Sequence, residues 1–71
     1  MDAVRLLAIN VRKLRKEKGL SQEELALDAD MKRTYLSDLE RGTRNPSVKA
    51  LGRLATALAV KPHQLLLSED D

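Results

Sequence analysis

The apolar positions of this chain fall at helical spacing almost from its start. Val4, Leu7, Val11 and Leu14 recur at intervals of three and four, which lines one stripe of an α-helix over about residues 3 to 18. Gly19 ends that helix, because glycine takes the left-handed closing conformation at little cost. Leu20 stands where an apolar side chain folds back over the last turn. Leu6 and Ile9 lie off the stripe and are expected to be semi-exposed. A second helix starts at SQEE, where Ser21 can accept from the Glu24 amide while Glu24 reaches back, with Leu20 and Leu25 as a hydrophobic staple. Its apolar face, Leu25, Ala26 and Ala29, is narrow and built mostly of small residues, which suits close approach of another helix. Asp30 then breaks the pattern. It tolerates the left-handed turn better than most residues, and its side chain is expected to cap the following helix.

A third helix is predicted over about Lys32 to Glu40, stopped by Gly42. TRNPS reads as a loop in which Pro46 keeps Asn45 extended and Ser47 caps the next helix. Val48, Leu51, Leu54, Ala55 and Leu58 form the stripe of that fourth helix over 48 to 59, and Pro62 opens a short fifth, PHQLLL. SEDD is an acidic tail, so the division expected is one domain over 1 to 67 and a tail over 68 to 71. Period-two alternation is missing and β-branched residues are few, which makes the predicted class all-α.

The two central helices carry the functional signal. Leu25, Ala26, Ala29, Met31, Leu36 and Leu39 form one apolar set across a break of a few residues around Asp30. So short a turn makes two helices cross steeply, with a small residue such as Ala26 where they touch, which is the arithmetic of a helix-turn-helix. With Leu36 and Leu39 turned inward, the first turn holding Lys32, Arg33 and Thr34 projects outward.

Composition narrows the chemistry. Seventy-one residues hold one small domain, and 34% charged with 42% hydrophobic residues is the mix of a globular chain. Cysteine is absent and His63 is the single histidine, so thiolate and His-rich metal sites are ruled out and no cofactor is expected. The same inventory argues against an enzyme. Tyr35 is the one aromatic, too few for the stacking platforms that hold single strands. No apolar run approaches the roughly 20 residues that cross a bilayer, and the charged N-terminus is no secretory signal; a cytoplasmic protein is expected, with no membrane partner. Net charge is only +2, yet its distribution is uneven. Residues 1 to 20 and 32 to 53 each carry six basic and two acidic groups, whereas 21 to 31 carry four acidic groups and no basic one. Folding that joins the two positive segments makes a basic face that the net value conceals.

RKLRKEKGLSQEELA, YLSDLERG and RNPS followed by an apolar helix together resemble the Cro and phage-repressor-like helix-turn-helix family, over residues 5 to 66. RTYLSDLERGTRN is also similar to the controller proteins of restriction-modification systems. The resemblance implies a compact five-helix bundle of the lambda-repressor-like type, binding duplex DNA as a homodimer with the third helix in the major groove. Carried over by position, it implies base readout by Arg33, Thr34, Ser37 and Asp38, with Lys32 and Tyr35 at the margin. Phosphate contacts would come from Ser21, Gln22, Arg41, Arg44 and Asn45; Arg15 and Glu40 would form a structural salt bridge. Pairing of copies would use Val60, Pro62, His63, Leu66 and Leu67. Asp38 is the ambiguous member, since a carboxylate near phosphates is repelled; orienting Arg41 three residues on is the favoured role.

The function expected is a sequence-specific regulator of transcription, a repressor or restriction-modification controller, on a palindromic operator. The alternative is a helical protein-interaction module such as an antitoxin-like partner, served by the acidic second helix and by Leu6, Ile9 and Leu27. No fused effector-binding module is expected after residue 67, and no small-molecule effector is evident.

Overall fold

The computed structural model describes residues 2 to 68; Met1 and residues 69 to 71, most of the predicted acidic tail, lie outside the described residues. Four α-helices follow one another: α1 (Ala3–Glu17), α2 (Gln22–Asp28), α3 (Arg33–Glu40) and α4 (Val48–Ala57). A 3₁₀ turn over Pro62–Leu66 closes the order, and there is no strand among the described residues.

Side chains start three of these helices. The Asp2 carboxylate accepts from the amides of Val4 (3.0 Å) and Arg5 (3.4 Å). Ser21 Oγ accepts from Glu24 N at 3.0 Å while Glu24 Oε1 accepts from Ser21 N at 2.9 Å, a complete capping box. Ser47 Oγ accepts from Ala50 N at 3.0 Å. All four α-helices end alike, in a residue of positive φ flanked by the paired reverse hydrogen bonds of a Schellman turn. That residue is Gly19, Asp30, Gly42 and Ala59 in turn. The outer bonds run from Leu20 N to Arg15 O, Met31 N to Ala26 O, Thr43 N to Asp38 O and Val60 N to Ala55 O, all between 2.9 and 3.0 Å.

The core sits where α3 packs against α1 and α2, and where the 3₁₀ turn packs against α1 and α4. Leu7 and Val11 enter it from α1, Leu25 and Ala26 from α2, Leu36 and Leu39 from α3, Leu54 and Ala55 from α4, with Leu58 and Leu65 closing the far end. Asn10 adds a polar clasp: its side-chain amide donates to the carbonyls of Leu65 and Leu67, both at 2.8 Å, and ties the C-terminal segment to α1.

Several expectations need correction. The last element is a 3₁₀ turn, so the bundle has four α-helices and one turn instead of five helices. Proline at its first position has no N–H to give, and five residues leave room only for tight bonds such as Gln64 N to Lys61 O at 2.9 Å. α3 begins at Arg33, with Lys32 outside it as an extended N-cap residue. Asp30 does take the left-handed conformation, at φ 55°, but it does not cap α3, which has no side-chain cap at all. α1 stops one residue early, at Glu17, and α4 stops at Ala57 because Ala59 turns left-handed at φ 57°. Val48, assigned to the buried stripe, is 84% exposed: it is the first residue of α4, ahead of the turn that meets the core.

Candidate nucleic-acid interface

α3 is fixed from behind and from its far end. Leu36 and Leu39 are fully enclosed. One turn on from Leu36, the Glu40 carboxylate takes three donors: Arg15 Nε at 2.7 Å, Arg15 Nη2 at 3.0 Å and Gln22 Nε2 at 3.0 Å. Arg15 Nη1 donates to Leu20 O at 2.8 Å, so a single guanidinium joins α1, the turn before α2 and the end of α3. Side-chain exposure is 11% for Arg15 and 4% for Glu40, the setting in which a bidentate pair holds its geometry and removal of one partner strands a buried charge.

The opposite end of α3 is bare. Lys32, Arg33 and Thr34 are exposed, and among the described residues their side chains make no hydrogen bond or ion pair. Ser37, one turn on, is half-buried. Alongside them stands a four-residue cluster. The Asp38 carboxylate pairs with Arg41 through one oxygen and with Arg44 Nη2 through the other at 3.4 Å. The Arg44 guanidinium also lies over the Tyr35 ring, 4.5 Å from its centroid, a cation–π contact. Thr43 Oγ1 donates to Asp38 O at 3.1 Å, and Asn45 is exposed in the same loop. Both Asp38 oxygens are therefore already engaged by arginines.

At the start of α2 the Ser21 hydroxyl oxygen is occupied as a cap and the Gln22 amide is held by Glu40. The Ser21 backbone amide, then its hydroxyl, hold the Glu24 carboxyl below its ordinary value. The residues expected at a dimer seam divide between two grooves. Leu66 shares one with Val4, Leu7, Val48 and Leu51, whereas Val60 and Leu67 line another with Asn10 and Leu14. Pro62 and His63 are exposed and line neither of these grooves.

Three residues were missed by the sequence reading as site elements: Val48, Asn10 and Arg53. Asn10 had left a signal, a polar residue set between Leu7 and Leu14 at the three–four spacing of the α1 stripe. No helix among the described residues is long and apolar enough to cross a membrane, and no group of three acidic or histidine side chains converges on a metal-sized site.

The family model described as Helix-turn-helix matches residues 11–65. The HTH-type transcriptional regulator y4dJ of Sinorhizobium fredii, itself uncharacterized, is 45% identical over 71 residues, 100% of this chain and 92% of the relative. Control protein C.BamHI of Bacillus amyloliquefaciens is 48% identical over 62 residues, 86% and 76% of the two chains. Among solved structures, the biofilm master regulator SinR in complex with DNA superposes with a TM-score of 0.82 at 39% identity, covering 86% of this chain and 98% of that one. With the crossed α2–α3 pair in place and three quarters of its length inside the family model, the chain belongs to the helix-turn-helix family of Cro/C1 type.

Proposed function

We propose that this protein is a DNA-binding transcription regulator that reads duplex sequence with α3 in the major groove. The observation that carries the reading is the asymmetry of α3: its inner face and far end are locked, while Lys32, Arg33 and Thr34 at its start stand free in solvent. In the family reading, such unpaired groups are what a base edge recruits. Arg33 suits bidentate donation to guanine O6 and N7, and Thr34 suits a thymine methyl or a base edge. Lys32 and Tyr35 stand at the margin of that surface, with Ser37 one turn on. Arg41, Arg44 and Asn45 track the backbone, with Gln22 and Ser21 meeting a phosphate across the groove. Asp38 serves as the orienter of Arg41 and Arg44, a role supported by its two ion pairs.

The operator proposed is palindromic, read by a homodimer with half-sites about one helical turn apart. Exposed Leu66 and Leu67 and the groove beside Val48 support pairing of copies. A cytoplasmic regulator without catalytic activity, of the repressor or restriction-modification controller kind, fits the relatives named above.

The test is a gel-shift titration on a duplex selected from random sequence and on its single-base variants. Arg33→Ala is expected to flatten discrimination at one base pair, by about 1 to 3 kcal/mol. Arg44→Ala is expected to weaken every duplex alike. Identical behaviour of the two variants would overturn the assignment of roles.

A further inference from the structure

We infer that Arg53, on α4, is an additional phosphate-binding residue, seated in a groove between α4 and the start of α3 that no assignment above uses; the inference rests on the DNA-binding reading. The groove encloses about 370 Å³. Lys32, Arg44 and Arg53 line it, as do Tyr35 and Ser47, and its single carboxylate is that of Asp30. Cationic charge therefore outweighs anionic charge there by three groups to one, a concave basic site that draws phosphate oxygens.

Arg53 is the least satisfied member of this group. Its Nε is buried and is the one buried side-chain polar atom without a hydrogen-bond partner among the described residues. Its Nη1 reaches only the Asp30 carboxylate, at 3.9 Å, and that side chain is 95% exposed. A pair so long and so well solvated holds the guanidinium weakly. The present rotamer thus leaves donor capacity unused, and a re-aimed guanidinium that meets an anion recovers it. Arginine's planar fork matches two oxygens of one phosphate.

The position selects the source of that phosphate. Lys32, Thr34 and Tyr35, the near wall of this groove, belong to the edge of α3 assigned to base reading. A helix with its side chains is about 10–12 Å across and the major groove is about 12 Å wide, so a seated α3 has a phosphate strand along each flank. The Arg53 groove opens on one such flank.

The experiment measures affinity of the full chain for the selected duplex over a range of salt concentrations. Arg53→Gln is expected to weaken binding about three- to tenfold and to make the log-log salt slope shallower by about 0.9, the loss of one phosphate contact. Arg53→Lys, which keeps the charge, is expected to retain the slope. Lys13→Gln, a change in a different groove, is expected to behave as wild type. Duplexes neutralised at single linkages by methylphosphonate add a site-specific arm. At one linkage the wild type loses affinity and Arg53→Gln is indifferent. If the wild type binds and Arg53→Gln matches it in affinity, slope and linkage profile, the Arg53 assignment is overturned while the DNA reading stands. If the wild type itself binds no duplex, the functional reading fails first. If inorganic phosphate protects wild type but not Arg53→Gln against thermal unfolding, with duplex binding unchanged, the groove takes a free anion and the inference is overturned.

Discussion

The starts of α2 and α3 are only a few residues apart, yet they are built on opposite terms. α2 opens with a complete capping box and carries Glu23 and Glu24 in its first turn, groups that satisfy orphan amides and complement the positive end of the helix dipole. α3 opens on Lys32 with no side-chain cap, has no acidic residue in its first turn and places Arg33 there instead, so cations meet the positive end of the dipole. Local stability alone would not select this. The difference teaches that α3 is stabilised at its other end, by Glu40, Leu36 and Leu39, which leaves its start available for an anionic partner.

The largest expected effect tests that division directly. Glu40→Ala strands the Arg15 guanidinium and frees Gln22, and is expected to destabilise the fold by about 3 to 5 kcal/mol in urea unfolding. A loss within error of zero would show that α3 does not depend on its far end. Lys32→Ser gives α3 the cap that α2 already has; it is expected to raise stability by about 1 kcal/mol while weakening duplex affinity. Stability and affinity rising together would break the contrast between the two starts. Ala59→Gly removes a left-handed strain remote from both starts and is expected to stabilise by about 0.5 to 1 kcal/mol with duplex binding unchanged.

The smallest effect belongs to α2. Ser21 lowers the folded-state pKa of Glu24 below its ordinary 4.5. The associated stability is fully present above that ordinary value and disappears as pH falls through the lower folded value. Unfolding curves from about pH 6 to 2 are expected to converge for wild type and Glu24→Gln at the acidic end; a gap that widened on acidification would contradict the box.

Most of this architecture was legible because its signals are local. Stripes at three–four spacing, the SQEE box, the two glycine stops and Ser47 each declare a helix edge within a few residues. Ala59 declared nothing, since alanine has no preference for the left-handed region; the bond from Val60 N to Ala55 O, with Val60 packed against the core, imposes it. Val48 satisfied the periodicity but lies beyond the reach of the core, a matter of helix placement that spacing does not encode. In the candidate site, the exposed start of α3 came from the inward turn of Leu36 and Leu39. The convergence of Tyr35, Asp38, Arg41 and Arg44 depends on the path of the loop after Gly42, and the meeting of Arg53 with Asp30 joins residues far apart in the chain.

Four rods finished by the same hinge leave the connections between them almost no slack. Adding or deleting one residue inside any rod swings everything after it by about 100°, and no linker is long enough to absorb the error. Such a chain is free to exchange the letters on its outward face and so acquire new targets, but its count of residues between hinges is frozen.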